Sequence, residues 1–195
     1  MSAARFAAVC VPAALAASAI AHATAGGVAG GPTVVAVGDG PITTGFSLAD
    51  GRVVTVAHVL DGDAITVRGA DGVARRGSVV RRDDDLDLAL LDVPGLPTAP
   101  ARLAVGTRVL VRREGRVAAL PARVVRRIDA RVRTAGAGRV ARRPALELAA
   151  TAAAGDSGAP VVQSGRVAGV VFARSDRRPG VAYAVDASVL ERLAR

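Results

Sequence analysis

The stretch Gly155-Asp156-Ser157-Gly158-Ala159-Pro160 places one serine between two glycines, with turn-forming residues on both sides. Glycine, aspartate and proline at this density predict a tight loop and not a piece of core. The glycines let the backbone turn so that the amides of Gly155 and Ser157 point into one small space, where two N–H groups can stabilise a developing negative charge. An ordinary hairpin turn fits the same residues equally well. The stretch alone therefore leaves both interpretations open.

The composition describes a chain that can bury a core but has few aromatic side chains to build it. The chain has 195 residues, of which 51% are hydrophobic and 2% aromatic, so valine, leucine and alanine must fill the interior. This length suits one large domain or two small ones that share an interface. The formal net charge is +9, and all 26 basic residues are arginine.

Many of the arginines occur as doublets, and a basic surface can hold nucleic acid or an anionic membrane. The doublets are scattered along the chain, however, and almost no aromatic residues lie between them to stack on bases. We therefore expect no nucleic-acid partner, and we interpret the arginines as the solvated face of strands and turns. The doublets are Arg75-Arg76, Arg81-Arg82, Arg112-Arg113, Arg126-Arg127, Arg142-Arg143 and Arg177-Arg178.

Residues 1–25 have the layout of an export signal. Arg5 precedes an apolar run from Phe6 to Ile20, and Ala21-His22-Ala23 matches a small-x-small cleavage site. The run is short for a membrane span, which needs about 20 apolar residues, and an uncleaved N-terminal anchor is the alternative. We expect a secreted or periplasmic protein that contacts the membrane only if this segment is retained. Cleavage would remove Cys10, the only cysteine, so the mature chain would have no disulfide.

The remaining chain consists of short β-type runs separated by Gly, Asp and Pro turns, a spacing typical of all-β sandwiches and barrels. After a flexible lead-in at 26–32, we predict two six-stranded-type antiparallel β-barrels, an N-terminal one over 33–105 and a C-terminal one over 106–185. A helix over 186–195 follows, with Ser188 and Glu191 as its capping box. The predicted strands are Val34–Val37, Thr44–Leu48, Arg52–Val56, Ile65–Arg68, Val73–Val80, Leu86–Val93, Thr107–Arg112, Arg116–Ala119, Ala122–Ile128, Ala145–Ala149, Val161–Gln163, Arg166–Ala173 and Val181–Val185.

Three side chains suited to nucleophilic catalysis stand at the ends of these runs. His58 ends one strand, Asp87 opens another, and Ser157 lies in the glycine loop. A serine hydroxyl is a weak nucleophile near neutral pH and needs a base within hydrogen-bond reach. Imidazole is such a base, and a carboxylate beyond it fixes its tautomer. The alternatives are a structural histidine at a strand end and, for Asp83–Asp85 beside Asp87, a solvated acidic turn or a calcium site.

The segments around these three residues resemble the motifs of the trypsin-like (chymotrypsin-fold) serine proteases. Thr55-Val56-Ala57-His58 is similar to the family's Thr-Ala-Ala-His, Asp87-Leu88-Ala89-Leu90-Leu91 to its aspartate motif, and Gly155-Asp156-Ser157-Gly158 to its serine motif. Thr44-Gly45-Phe46 and Val93-Pro94-Gly95-Leu96 are most similar to bacterial HtrA-like and actinobacterial acid-resistance periplasmic serine proteases. The resemblance covers roughly residues 33–190. It implies two barrels with the active site in the cleft between them.

The resemblance also implies a role for each site residue. Ser157 is the nucleophile, His58 the base, Asp87 the residue that orients His58, and the amides of Gly155 and Ser157 form the oxyanion hole, with no metal or organic cofactor. Thr151 stands where trypsin has an acid, so we expect a neutral pocket for small or medium apolar side chains. Barrel core is the alternative for Phe172 and Tyr183. The predicted pocket residues are Thr151, Ala154, Phe172, Ala173 and Arg174.

Two departures from the family's pattern bear on the site. No new N-terminus is visible for Asp156 to hold, so activation of the pancreatic type is not expected. Phe172 falls where mammalian members have a serine that bonds the catalytic aspartate, which leaves the support of Asp87 unidentified.

We expect a monomeric serine endopeptidase that acts on protein or peptide substrates. One alternative is a protease fold kept as a catalytically silent binding module in the cell envelope. The other is an arginine-rich protein bound to nucleic acid or to an anionic envelope polymer, which would show steeply salt-dependent binding.

Overall fold

The computed structural model describes residues 31–40, 42–98, 106–134 and 138–194. The predicted export signal at 1–25 and most of the lead-in lie outside the described residues. Within them, no helix is long and apolar enough to cross a membrane. The strands are β1 (Val34–Val37), β2 (Thr43–Ser47), β3 (Val53–Thr55), β4 (Ala64–Arg68), β5 (Ala74–Asp83), β6 (Leu88–Asp92), β7 (Thr107–Arg113), β8 (Arg116–Pro121), β9 (Arg123–Arg133), β10 (Val140–Ala149), β11 (Pro160–Gln163), β12 (Arg166–Arg174) and β13 (Val181–Asp186).

The first six strands close into an antiparallel barrel in the order β1-β2-β3-β6-β5-β4. Alternate residues face inward, as in β4, where Ile65 and Val67 are buried and Arg68 is exposed. In the pairing of β3 with β6, Thr55 lies opposite Ala89. Because the two strands are antiparallel, the end of β3 lies beside the start of β6. This register brings the segment of His58 to the segment of Asp87.

The other strands form a seven-stranded sheet in the order β8-β7-β11-β12-β13-β10-β9. The all-β, chymotrypsin-like fold is therefore confirmed. The second unit differs in detail from the predicted six-stranded barrel, because it has one strand more. Within the described residues its sheet is open, with β8 and β9 as the two edge strands. Most side chains of β9 are exposed, which is typical of an edge strand.

The C-terminal helix is confirmed, but the predicted capping box is wrong. A short 3₁₀ helix at Ala187–Val189 leads into an α-helix, α1, at Leu190–Ala194. The carboxylate of Asp186 accepts a hydrogen bond from the Ser188 amide at 2.9 Å, so Asp186 is the cap and Ser188 lies inside the first turn. Arg52 of the first barrel donates to the Ala194 carbonyl at 3.2 Å, which ties this helix to the first half of the chain.

Candidate active site

Asp87 holds the turn that carries His58 by three hydrogen bonds. Its carbonyl accepts from the Ala57 amide at 3.1 Å, its Oδ1 from the His58 amide at 2.9 Å, and its Oδ2 contacts His58 Nδ1 at 2.8 Å. A carboxylate only accepts, so Nδ1 donates and Nε2 is the ring nitrogen left to take a proton. Asp87 has φ = 58°, a left-handed conformation that aspartate tolerates better than most residues. The pair therefore has the geometry that a general base and its orienting acid require.

The loop of Ser157 is fixed to strand β2 of the first barrel. The Ser157 carbonyl accepts from the Thr44 amide at 3.0 Å and from the Thr43 hydroxyl at 2.5 Å. The Thr44 hydroxyl donates to the Gly155 carbonyl at 3.0 Å. Thr44 is fully buried, so these bonds are shielded from water. The serine thus comes from the second sheet but is positioned against the barrel that supplies His58 and Asp87.

Two amides of this loop have no acceptor among the described residues. Neither the Gly155 nor the Ser157 N–H donates to a protein oxygen there, whereas the neighbouring Asp156 amide donates to the Ala153 carbonyl at 3.2 Å. Gly155 has φ = 89°, in the left-handed region that glycine adopts readily. Unpaired N–H groups near a nucleophile are what an oxyanion hole requires.

Asp156 is the buried charge beside Ser157, and Arg113 of β7 pairs with it. Arg113 Nε donates to Asp156 Oδ1 at 2.9 Å, and its Nη2 contacts Oδ2. Asp156 is 0% exposed and also accepts from the Ala153 amide at 2.7 Å. The hydrogen bond that Arg113 donates to Asp156 raises the pKa of Arg113. A partly exposed arginine of the same chain therefore pairs with the carboxylate for which the sequence offered no partner.

The Ser157 hydroxyl makes no hydrogen bond to His58 within the described residues. Hydrogen bonds between nucleophile and base are often long without substrate and tighten in the reacting complex. The structure therefore brings His58 and Asp87 into direct contact and places the Ser157 loop against the neighbouring strand β2.

Arg143 of β10 is a residue of the site that the sequence interpretation missed. Its side chain is 1% exposed, and its Nη1 lies 3.3 Å from Asp87 Oδ2, an ion pair without the alignment of a hydrogen bond. Its guanidinium carbon lies 5.1 Å from the ring centre of Phe172. Burial lowers the pKa of Arg143 below its ordinary value, and Asp87 opposes this; an arginine remains charged near neutral pH.

The burial of Arg143 and Arg112 contradicts the interpretation of both doublets as solvated. In β10, Ala141, Arg143 and Ala145 are buried while Arg142 and Pro144 are exposed. The period of two was visible in the sequence as small apolar residues two positions on either side of Arg143.

The predicted pocket residues do not share one environment. Thr151, Ala154 and Arg174 are exposed, whereas Phe172 and Ala173 are buried in the core. The Phe172 ring lies 6.5 Å from the Tyr183 ring. Ala154 lines a cavity described below, whose walls do not include the other four. Their part in substrate binding stays a prediction.

Asp83, Asp84 and Asp85 are each engaged locally. Asp83 Oδ1 accepts from the Leu86 amide at 2.9 Å, and the carboxylates of Asp84 and Asp85 pair with Arg82 and Arg139. The described part of the chain holds no group of three or more acidic, histidine or cysteine side chains suited to a metal ion.

The chain belongs to the trypsin-like peptidase family and is a serine endopeptidase by class. The model of the trypsin-like peptidase domain matches residues 43–170, which include His58, Asp87 and Ser157. No curated protein sequence matches the chain.

Solved structures similar to this chain include the Rv3671c protease from M. tuberculosis. Its active form has a TM-score of 0.74 and 30% sequence identity, with 85% of this chain and 81% of that chain covered. Its inactive form gives 0.71 and 30%, with 83% and 87% covered. A serine-to-alanine mutant in the inactive form gives 0.71 and 28%, with 83% and 84% covered.

Proposed function

We propose that the chain hydrolyses peptide bonds through a His58-Asp87-Ser157 triad and an acyl-enzyme intermediate. Ser157 Oγ attacks the carbonyl carbon, and His58 Nε2 takes the hydroxyl proton and gives it to the leaving amine. Asp87 holds His58 in the required tautomer, and the amides of Gly155 and Ser157 donate to the oxyanion. Water then attacks the acyl-enzyme by the same route and restores the serine.

The observation that carries this proposal is the 2.8 Å contact between His58 Nδ1 and Asp87 Oδ2. A structural histidine at a strand end has no need of a carboxylate that bonds both its ring and its own amide. The two unpaired amides at Gly155 and Ser157 support the proposal independently, because Ser157 is only 7% exposed and a buried amide seldom lacks an acceptor.

The test is the intact mass of the purified protein after reaction with a fluorophosphonate. We expect a single adduct, mapped to Ser157, that is lost in Ser157→Ala and His58→Ala and retained in Ser164→Ala, which removes an exposed serine in the β11–β12 turn. Circular dichroism establishes that each variant is folded. No adduct on a folded wild-type protein would contradict the triad and favour the silent binding module.

Location and pocket chemistry are further parts of this proposal. The apolar run and small-x-small site in residues 1–25 support export to the periplasm or the medium, and the N-terminal residue of the exported protein, read by mass spectrometry, tests it. The neutral side chains at Thr151 and Ala154 support cleavage after small or medium apolar residues. A peptide panel cleaved mainly after Arg or Lys would contradict that preference.

A further inference from the structure

A cavity of about 530 Å³ lies where the serine loop meets the first barrel. Its size is within the range of binding pockets and far exceeds what one small ion needs. The loop contributes Ala153, Ala154 and Gly155 to its wall. The other lining residues are Ala36, Gly38, Ile42, Thr66, Arg68, Arg112, Arg113, Glu114 and Gly115.

Arg112 gives this cavity an unbalanced positive charge. It is 7% exposed, and its Nε is buried without a hydrogen-bond partner among the described residues. No acidic side chain lies within salt-bridge distance of it in that part of the chain. The residues outside the described ranges contain neither aspartate nor glutamate, so none of them can supply a side-chain carboxylate. A buried charge without a partner is costly, which makes Arg112 a binding group for an anion.

The charged groups around Arg112 do not neutralise its positive charge. Burial first, and Arg68 second, lower the pKa of Arg112 below its ordinary value, and the charge of Asp71 opposes them. Arg68 donates to the Gly72 carbonyl at 2.8 Å, and Asp71 is already paired with Arg75 at 2.6 Å. Arg113 forms a salt bridge with Asp156. Glu114 is the one carboxylate in the cavity wall, which also holds Arg68 and Arg112, and neither of these two arginines forms a salt bridge among the described residues.

The position of the cavity indicates which part of a substrate would reach it. Gly155, whose amide is proposed to hold the oxyanion, forms part of its wall. The remaining wall comes from β1, Ile42 ahead of β2, β4, β7 and the β7–β8 turn. Ala154 is the one predicted pocket residue in it, and β12, which carries the three predicted pocket residues at 172–174, contributes none. The cavity thus lies away from β12, and we assign it to the leaving-group side of the serine loop.

We propose that this cavity binds a carboxylate of the leaving peptide segment through Arg112 and Arg68, which makes the enzyme selective for substrates that are acidic shortly after the scissile bond. This inference rests on the proposed peptidase function. Arginine binds carboxylates in a fork of parallel N–H···O bonds, a strong and directional contact. One extended residue spans about 3.3–3.6 Å, so an acidic residue within the first few positions after the cleaved bond lies close enough.

The experiment compares quenched fluorescent peptides that share one acyl segment and differ only after the scissile bond. Each of the first three positions of the leaving segment carries Glu, Gln or Lys in turn, and product masses verify that the cleaved bond is the same. We expect kcat/KM to be at least about tenfold higher for Glu than for Gln at one position, equivalent to about 1.4 kcal/mol, and lowest for Lys. Peptides with a free or an amidated C-terminus separate a side-chain carboxylate from a terminal one.

Three variants identify the groups responsible. Arg112→Gln is expected to bring the Glu/Gln ratio close to one, and Arg68→Gln, at an exposed position of β4, to lower it. Glu114→Gln is expected to raise the ratio, because it removes the competing carboxylate; damage to the fold would not do so. Arg108→Gln, on the same strand but outside the cavity wall, is the matched control and should keep the wild-type ratio.

A second measurement does not depend on catalysis. Fluorescence anisotropy of Ser157→Ala with the labelled acidic leaving peptide should show tighter binding than with its Gln counterpart. If Ser157 is labelled and the peptides are cleaved with equal kcat/KM for Glu and Gln, the carboxylate site is overturned and the peptidase function stands. Binding of the acidic peptide without cleavage or fluorophosphonate labelling would contradict the peptidase function alone. Equal binding of the two peptides would overturn the carboxylate site in either case.

Discussion

At the scale of single residues, Arg143 and His58 share the carboxylate of Asp87. Oδ2 of Asp87 contacts the ring nitrogen of His58 at 2.8 Å and lies 3.3 Å from Arg143 Nη1. The arginine and the imidazole therefore contact the same carboxylate oxygen. Arg143 also places a buried positive charge beside the carboxylate that contacts the ring of His58.

Removing the charge of Arg143 should therefore lower the rate. We expect Arg143→Gln to lower kcat by about tenfold, the cost of about 1.4 kcal/mol of lost positioning. The rate of fluorophosphonate labelling at Ser157 should fall by a similar factor, because both reactions need His58 held by Asp87. Asp83 and Asp85, the other charged groups that act on Arg143, remain in the variant.

The controls separate this effect from general damage. Arg143→Lys keeps the charge and should show a smaller loss of kcat. Arg142→Gln, at the preceding position of the strand but 66% exposed, should leave the rate unchanged. An undiminished kcat in a folded Arg143→Gln variant would contradict a positioning role for Arg143.

The sequence predicted His58, Asp87 and Ser157 because each lies in a motif whose neighbours restrict its position. Arg143, Arg113 and the cavity arginine Arg112 lie in doublets that look alike in the sequence. Which member of a doublet points inward depends on the register of its strand and on what packs against that face, and neither is a local property. The arginine partners of Asp87 and Asp156 therefore did not follow from the motifs, although the alternation around Arg143 gave a local signal of its burial.

At the scale of secondary-structure elements, the serine loop and β2 approach so closely that only glycine fits at position 158. A Cβ there would lie 1.9 Å from the Thr44 carbonyl oxygen and 2.6 Å from the Thr55 hydroxyl. The Gly158 amide donates to the Val171 carbonyl at 2.7 Å, which holds the same turn against β12. The loop is thus held between elements of both halves, directly after Ser157.

Gly158→Ala should displace the serine loop from β2. Both the contact with backbone and the φ of 84° oppose a side chain, so we expect destabilisation by at least about 3 kcal/mol and loss of fluorophosphonate labelling. Gly165→Ala is the matched control. It also has positive φ, at 78°, but nothing lies within 4 Å of its Cβ, so it should cost only about 1 kcal/mol and keep full labelling. Normal labelling of Gly158→Ala would contradict the docked position of the loop.

The strands themselves were predicted well and their ends were not. β5 continues to Asp83 and β10 begins at Val140, several residues beyond the predicted runs, through polar and arginine-rich sequence. Backbone hydrogen bonds to the neighbouring strand extend these ladders, so hydrophobic periodicity, which reports only buried faces, underestimates their length.

At the scale of the whole molecule, the candidate site exists only where the two halves meet. The barrel supplies His58 and Asp87, and the second sheet supplies Ser157 together with the buried charge Arg143. The reactivity of Ser157 toward a fluorophosphonate therefore depends on how the two halves pack together. The free energy of unfolding of the whole molecule also depends on polar networks far from the site.

Glu147 is the centre of the main polar network in the second sheet. Its carboxylate is 5% exposed and accepts from Arg126 at 3.0 Å and from Arg178 at 3.1 Å through each of two nitrogens. Arg178 also donates to the Tyr183 hydroxyl at 2.7 Å. Burial raises the pKa of Glu147, but the hydrogen bonds from Arg178 and Arg126 outweigh it, so that its pKa lies below the ordinary 4.5.

A pKa that is lower in the folded than in the unfolded chain stabilises the fold above the unfolded value, and this contribution is lost as the pH falls through the folded value. Both arginines are partly exposed, so we expect Glu147→Gln to lower the free energy of unfolding by about 1–2 kcal/mol at pH 7. The difference between the variant and the wild type should shrink as the pH falls below about 4.5. Urea unfolding at pH 7, 5, 4 and 3 measures this difference directly.

Asp129→Asn is the control for this pH dependence, because Asp129 is 60% exposed and pairs with Arg142 only at 3.5 Å. It should change the free energy of unfolding by less than about 0.5 kcal/mol at every pH. If the difference in the free energy of unfolding between wild type and Glu147→Gln persists unchanged to pH 3, the variant acts through altered packing. A gap that closes in acid would identify Glu147 as a group through which protonation weakens the whole molecule, although it lies in a different network from His58, Asp87 and Ser157.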